Sequence, residues 1–200
     1  REYFPGPQIL VLLNAVSAEN LPLQISVGKM FLSENIPITI CVSPGTWPSD
    51  ASEHYRLELS RLATDFPGMV EIISRGVYDL LFASDLALVG SGTATLETAL
   101  AGVPMVILAR TRWLNYFLVR PLVHTPFYGL PNLIAGREVV PELVMGQVNP
   151  KRIYQELANL IVSSERRKQT QKELEQIRKK LGEKVASQEV AEEILSQLNH

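Results

Sequence analysis

The sequence predicts an α/β fold: a doubly wound, mostly parallel sheet followed by a helical C-terminal tail. Two observations lead to this prediction. Short apolar runs alternate along the chain with amphipathic segments, and the residues after position 150 follow a stretch rich in Pro and Gly and have a helical pattern. Continuous apolar runs are typical of strands buried on both faces, and their alternation with helices favours parallel pairing.

The apolar runs predict five strands, at residues 8–13, 38–43, 69–74, 86–90 and 104–109. The segments between them predict helices at 19–32, 51–64, 77–83 and 93–101, and the chain after Pro150 is predicted to be helical to its end. We therefore expect a Rossmann-like domain over residues 1–162 and a helical tail over residues 163–200. Right-handed crossovers bring the carboxyl ends of parallel strands to one edge of the sheet, where ligands usually bind.

Composition and charge exclude several classes of function. The net charge of −2 gives no argument for binding to nucleic acid or to an acidic partner. Cys41 is the one cysteine and lies in an apolar run, which indicates a buried thiol in a reducing compartment and excludes a disulfide framework. Cys41 and the three histidines have no metal-ligand spacing, so we expect neither a metal nor a cofactor.

The run 86–109 is long enough to raise the question of a membrane span. Gly90, Gly102 and Pro104 interrupt it, and Glu97 is costly in lipid, so a strand, a turn, a helix and a second strand explain it better. The chain starts without Met and without the zones of a signal peptide. We interpret it as a fragment or a processed product.

The segment GSGTATLE, residues 90–97, carries the strongest functional signal. The strand is predicted to end near Gly90, and a turn of small residues then leads into a helix that starts at about Thr93. Small residues let a ligand approach the backbone, and a helix N-terminus offers free N–H groups and a positive dipole end to phosphate. The hydroxyls of Ser91, Thr93 and Thr95 can add hydrogen bonds.

Glu97 is the single charged residue between Asp85 and Arg110. With Thr93 as the cap, Glu97 lies one position beyond the acid of a capping box. Two interpretations stay open at this point. The carboxylate compensates the helix dipole, worth a few tenths to about 1 kcal/mol, or it accepts hydrogen bonds from the hydroxyls of a sugar.

Two motifs together, SGTATLETALAGVPMVI and LPNLIAGREVVPELV, resemble lipid-A-disaccharide synthase, a GT-B glycosyltransferase family. Looser forms of the first motif occur in other GT-B transferases and in UDP-GlcNAc epimerases, whereas the second is far more particular. The resemblance covers essentially the whole chain as the C-terminal, nucleotide-binding half. It implies transfer of 2,3-diacylglucosamine from UDP-2,3-diacylglucosamine to 2,3-diacylglucosamine 1-phosphate (lipid X), in lipid A biosynthesis at the cytoplasmic face of the inner membrane.

The resemblance also implies a set of donor-binding residues. They are Ser91, Gly92, Thr93 and Ala94 at the diphosphate, Glu97 near the ribose, Asn132 in the loop that closes on UDP, and Arg137 and Glu138 at the edge of the same site. For Arg137 and Glu138, a local ion pair that orders the loop is the alternative. The family's general base is an aspartate in the N-terminal half, so we expect this chain alone to be inactive and assign no catalytic residue.

The turn after the first strand departs from the family pattern of Pro-Gly-Ser-Arg followed by a Glu. This sequence has Asn14, Ala15, Val16 and Ser17 there, with Asn20 in place of the Glu. Loss of the arginine contact to phosphate is expected to cost about 1.5–3 kcal/mol of binding. Two alternatives therefore stay open: a related UDP-sugar transferase with another donor or acceptor, and a degenerate, non-catalytic homologue.

Three further features have two interpretations each. His124 is expected in the core or an interface, with a weak cationic role as the alternative because the family usually has Lys there. The segment around Trp113 and Phe117, flanked by Arg112 and Arg120, fits either a peripheral membrane contact or burial against another half or subunit. The basic tail is either a solvated face with i,i+4 pairs or part of a homodimer interface.

Overall fold

A computed structural model describes residues 9–13, 21–34, 38–42, 52–67, 70–72, 77–110, 125–182, 194–195 and 197. The strands in these ranges are β1 (Ile9–Leu13), β2 (Ile38–Val42), β3 (Val70–Ile72), β4 (Leu86–Gly90), β5 (Met105–Ala109) and β6 (Glu142–Val144). The helices are α1 (Leu21–Ser33), α2 (Ser52–Asp65), α3 (Val77–Ala83), α4 (Thr93–Leu100), α5 (Leu130–Ala135), α6 (Pro150–Val162) and α7 (Ser164–Leu181).

The strands form one parallel sheet in the order β3-β2-β1-β4-β5-β6. The predicted doubly wound α/β fold is confirmed, with all five predicted strands in place. The strand order reverses between β1 and β4, which are direct neighbours. In such sheets ligands bind in the crevice beyond the carboxyl ends of the strands at this switch point. The turn after β4 lies at that position.

Each face of the sheet is covered by its own apolar layer, because side chains alternate along a strand. Leu86 and Leu88 of β4 pack with α1 and α6 on one face. Ala87 and Val89 pack with α3, α4 and α7 on the other. Both faces are therefore buried, which explains why the central strands are continuous apolar runs.

The sequence patterns missed three short elements and one break, and one of the three is a 3-10 helix at Met145–Gln147. The segment predicted to be irregular contains α5 and β6, and β6 extends the sheet by pairing with β5 at Ile107↔Glu142. The helix predicted to run from Pro150 to the chain end is interrupted at Ser163, whose backbone is extended (φ −94°, ψ 95°). The Ser163 side chain accepts a hydrogen bond from the Arg166 N–H at 3.1 Å and caps α7. A strand of three residues or a serine cap is a weak signal beside a long helical pattern.

The break at Ser163 coincides with the predicted boundary between domain and tail, but α7 is not separate from the sheet. Leu174 and Ile177 are buried in the same cluster as β4 and β5. Lys180 Nζ donates to the carbonyl of Ile134 in α5 at 2.7 Å. Across the ranges that the structure describes, no helix is both long and apolar enough to cross a membrane.

Candidate functional site

The turn between β4 and α4 is built on a glycine in a conformation that other residues avoid. Ser91 N–H donates to the Leu108 carbonyl at 2.8 Å and continues the β4–β5 ladder by one residue. Gly92 then turns the chain with φ 148° and ψ −165°, a region that is essentially restricted to glycine. A Cβ built on Gly92 would meet nothing within 4 Å, so the requirement is conformational rather than steric.

The N-terminus of α4 is open at this edge of the sheet. Ser91, Gly92 and Thr93 are exposed, and no side chain caps the helix at Gly92. In the first turn the Thr95 N–H donates to the Gly92 carbonyl at 3.1 Å, whereas the N–H groups of Thr93 and Ala94 have no acceptor within a regular helix. They offer hydrogen bonds and partial positive charge to an anion. Ala94 is buried, so its backbone and not its methyl group is available to a ligand.

Thr95 does not contribute a free hydroxyl, contrary to the sequence-based expectation. It is completely buried. Its Oγ1 donates to the Gly92 carbonyl at 2.6 Å and accepts from the Leu130 N–H at 3.3 Å. The side chain therefore holds the turn against α5 and does not reach a ligand.

Glu97 lies further along α4 than a capping role allows. The N-cap is Gly92 and not Thr93, so Glu97 is two positions beyond the acid of a capping box, and no acid lies in the first turn. Compensation of the dipole by a first-turn acid therefore does not explain this residue. Glu97 as a whole residue is half-buried, and Tyr78 Oη lies 3.5 Å from its carboxylate Oε1, at the outer limit of a hydrogen bond. Tyr78, an exposed residue of α3, was not identified from the sequence.

Asn132 is completely buried, and its amide is fully used inside the protein. Nδ2 donates to the Val140 carbonyl and to Glu142 Oε1, each at 2.8 Å. Oδ1 accepts from the N–H groups of Val139 at 2.7 Å and Val140 at 3.0 Å. These bonds exhaust the donors and acceptors of an amide side chain. Asn132 therefore orders the segment from α5 to β6 and has no free hydrogen-bonding group for a ligand in this structure.

Glu142 completes this cluster and was missed as a site residue. Its carboxylate accepts from Tyr128 N–H at 2.8 Å, Gly129 N–H at 2.9 Å and Asn132 Nδ2 at 2.8 Å. A Cβ on Gly129 would lie 2.9 Å from Glu142 Oε1 and closer still to Ile107, so any other residue here would displace one of these side chains. The only hint in the sequence is that Glu142 is the acid of the VPEL motif.

Arg137 and Glu138 lie at the opposite end of α5 from the turn. The N-terminus of α5 adjoins Thr95, whereas these two residues follow its C-cap, Gly136. Arg137 pairs with Glu173 of α7 and not with Glu138, so the structure does not show the local ion pair that was the alternative interpretation. The Arg137 guanidinium holds the pKa of Glu173 below its usual range.

The same two residues line a cleft of about 270 Å³ between the α5–β6 connection and α7. None of the residues of the β4–α4 turn lines this cleft. Of the eight predicted site residues, the structure thus brings five together at the turn and along α4. It places Asn132 in the core and the last two at the far end of α5.

Other predicted features cannot be compared with the structure. The structure does not describe the following: the altered turn at residues 14–17, Asn20, the side chain of Cys41, Trp113 and Phe117 with their flanking arginines 112 and 120, and His124. Within the described ranges, no three His, Cys, Asp or Glu side chains cluster closely enough to hold a metal ion.

Comparison with known proteins gives a consistent result. A family model described as lipid-A-disaccharide synthetase matches residues 51–197. Lipid-A-disaccharide synthase from Syntrophus aciditrophicus is 36% identical over 168 residues, covering 81% of this chain and 41% of that protein. The synthase from Erwinia tasmaniensis is 33% identical over 172 residues, covering 84% of this chain and 44% of that protein. The chain thus spans about two fifths of the length of these relatives.

Solved structures share the fold at low sequence identity. The calicheamicin glycosyltransferase CalG4 has a TM-score of 0.53 at 17% identity, covering 98% of this chain and 43% of its own. The glycosyltransferase VinC, solved in complex with dTDP, also has a TM-score of 0.53 at 17% identity, covering 90% of this chain and 38% of its own. This likeness confirms the Rossmann-like, GT-B type of fold.

Proposed function

Because the chain belongs to the lipid-A-disaccharide synthetase family, we propose that it is the donor-nucleotide-binding half of a hexosyltransferase. The donor is UDP-2,3-diacylglucosamine, and the acceptor is 2,3-diacylglucosamine 1-phosphate (lipid X). The observation that carries the proposal is the open N-terminus of α4, entered through Gly92 at the switch point of the sheet. A helix end of this kind binds diphosphate through backbone N–H groups and the helix dipole.

In this proposal the diphosphate lies against the N–H groups of the first turn of α4, with the Ser91 and Thr93 hydroxyls as further donors. Glu97, one turn further along, accepts from the ribose hydroxyls. As the glycosidic bond to the diphosphate breaks, negative charge grows on the leaving UDP. Fixed N–H donors at the helix end stabilise this charge in the transition state without reorganising.

Asn132 supports this site by ordering the segment that contacts Thr95, and we do not include it among the direct contacts. Arg137 and Glu138 are also outside the proposed contact set, because the cleft that they line includes no residue of the β4–α4 turn. This differs from the assignment that the resemblance implies, and separate variants test the difference.

The acyl chains of both substrates support a proposed location at the cytoplasmic face of the inner membrane. A homodimer through the tail is not part of the proposal. Leu174 and Ile177, two residues of the apolar stripe in the tail, are already buried within the same chain.

The first experiment is calorimetric titration of the chain with UDP, using variants at the two ends of α4. Gly92→Ala strains the backbone at the N-terminal end, and Gly102→Ala does so at the C-terminal end, where φ is 73°. Both variants should lose roughly 1–3 kcal/mol of stability. Gly92→Ala alone should weaken UDP binding, by about tenfold, because it displaces N–H groups that contact phosphate.

Two results would count against the proposal. One is a folded wild-type chain that does not bind UDP. The other is equal weakening by the two glycine variants, which would indicate a general effect of stability. Transfer is tested by incubating the chain with UDP-2,3-diacylglucosamine and lipid X and measuring UDP release. We expect no release above background, and turnover by this chain would contradict its role as a donor half.

A further inference from the structure

The Thr95 side chain connects two parts of the chain that are 35 residues apart. Its hydroxyl donates to the Gly92 carbonyl at 2.6 Å and accepts from the Leu130 N–H at 3.3 Å. The Thr95 N–H also donates to the Gly92 carbonyl, at 3.1 Å. Thr98, one turn further along the same helix, is also buried. Its hydroxyl donates to the Ala94 carbonyl at 2.7 Å, a bond within α4 itself. The arrangement at Thr95 is therefore not a general feature of threonines in α4.

Two donors on the Gly92 oxygen fix the plane of the peptide bond between Gly92 and Thr93. A trans peptide is planar, so its C=O and N–H point in opposite directions. With the Gly92 carbonyl held toward Thr95, inside the helix, the Thr93 N–H points outward from the open end of α4. Gly92 has no side chain to restrict this plane, and its conformation is one that costs other residues strain.

The other side of the link is itself held in place. Leu130 begins α5, and Glu142 accepts hydrogen bonds from the two preceding N–H groups, those of Tyr128 and Gly129. Asn132, two residues later, is bonded to the same carboxylate. The Leu130 N–H is therefore a fixed donor, and it restrains the rotation of the Thr95 hydroxyl toward Gly92.

From these contacts we infer that Thr95 is a positioning residue for nucleotide binding: it aims the Thr93 N–H at the diphosphate by fixing the Gly92–Thr93 peptide plane and anchoring it to α5. Thr95 itself contacts no ligand. The inference rests on the proposed function, since it specifies how the same turn is held in its binding orientation.

The test compares hydroxyl deletions at two buried threonines of α4 by calorimetric titration with UDP. Thr95→Val removes the hydroxyl and keeps the shape, Thr95→Ser restores the hydroxyl, and Thr98→Val is the matched control. Thr95→Val should weaken UDP binding about tenfold, while the other two variants stay within about threefold of the wild type. Thermal unfolding of all variants shows whether Thr98→Val has a comparable loss of stability without the loss of binding.

A second pair of variants tests the link from its other end and serves if Thr95→Val does not fold. Leu130→Pro removes the N–H that donates a hydrogen bond to Thr95 Oγ1, whereas Leu130→Ala shortens the side chain and keeps this N–H. Proline suits this position, because Leu130 is the first helical residue and Gly129 before it is extended. Leu130→Pro should bind UDP about threefold or more weakly than Leu130→Ala.

Each outcome has a defined meaning. The positioning role would be overturned if Thr95→Val binds UDP as tightly as the wild type, or if Thr98→Val loses as much affinity as Thr95→Val does. Either result would leave the proposed function intact. Equal binding by Leu130→Pro and Leu130→Ala would overturn the positioning role as well. Absence of UDP binding by the wild type would instead contradict the proposed function, and this inference with it.

Discussion

At the scale of single residues, Asn132 makes the largest number of specific contacts among the predicted site residues. Asn132→Ala should lower the free energy of unfolding by about 2–4 kcal/mol, because it leaves the Val139 and Val140 N–H groups and the Val140 carbonyl without their partner in a buried place. Urea denaturation measures this loss. Asn149→Ala, which removes an exposed cap of α6, is the control and should cost about 1 kcal/mol. Equal losses would contradict the central role of Asn132.

Glu97 is the residue for which a ligand contact is best supported, because it neither caps α4 nor lies in its first turn. Glu97→Ala should weaken UDP binding about tenfold, since a carboxylate bonded to ribose hydroxyls contributes a charge-assisted hydrogen bond. The same variant should bind inorganic pyrophosphate as the wild type does, because pyrophosphate has no ribose. Calorimetric titration with both ligands measures the difference.

Glu138→Ala is the control for Glu97, since Glu138 is an exposed acid at the far end of α5. It should leave the affinity for UDP within about twofold of the wild type. If Glu138→Ala weakens binding as much as Glu97→Ala, the donor site extends along α5 as the resemblance implied. A Glu97→Ala variant that loses UDP and pyrophosphate equally would indicate a phosphate contact or a disturbed turn.

At the scale of elements, α7 belongs to the packed body of the protein although its sequence reads as a polar tail. Its buried residues are Thr170, Leu174 and Ile177. Its other basic residues are exposed, whereas Arg167 is half-buried and donates to the carbonyls of Leu160 and Ile161 in α6. The apolar stripe is narrow because one side of the helix lies over the cluster formed by α3, α4 and the sheet. The buried residues of α7 therefore stabilise the helix that carries the candidate site.

Leu174→Ala should lower the free energy of unfolding by about 2–5 kcal/mol, because Leu174 has 0% exposure and its removal leaves a cavity against α4. Leu181→Ala, on the same helix but 44% exposed, should cost much less. Urea denaturation of the two variants measures the difference. Similar small losses for both would mean that α7 packs only loosely on the sheet in solution.

At the scale of the whole molecule, two apolar layers enclose the sheet, and α1 and α6 are held together on one of them. The rings of Phe31 and Tyr154 pack with centroids 4.4 Å apart and a tilt of 42°. The Tyr154 hydroxyl donates to the Glu34 carboxylate. Burial raises the pKa of Tyr154 to about 12, and the hydrogen bond and charge of Glu34 act in the same direction.

This raised pKa predicts an alkaline limit to global stability. In the unfolded chain Tyr154 loses its proton near the ordinary tyrosine pKa of 10.0, whereas in the folded protein its pKa is about 12. The contribution is therefore complete below pH 10 and is lost as the pH rises through the folded pKa. Tyr154→Phe should reduce the fall in stability over this window, as measured by urea denaturation at stepped pH. An unchanged slope would mean that Tyr154 does not control this part of the profile.

The sequence predicted the turn-and-helix part of the site better than the segment around α5. Gly90 to Glu97 is a local motif: small residues specify the turn, and the apolar run before them specifies the strand. The partners of Asn132 and Arg137 could not be read in the same way. Val140 and Glu142 contact Asn132 because the chain turns back after α5, and Glu173 contacts Arg137 although the two are 36 residues apart in the sequence.

The sequence by itself determined the five strands, the four helices between them, the fold class and the turn of small residues after β4. Periodicity and turn chemistry act over a few neighbouring residues, so these features are visible in a single sequence. Only the tertiary structure decided that Thr95 is an internal link, that Glu142 holds α5, and that β6 joins the sheet. Each of these features depends on hydrogen bonds between segments that only the folded chain places side by side. A buried polar group bonds to the partners that packing brings near it, and a single sequence does not show which these are.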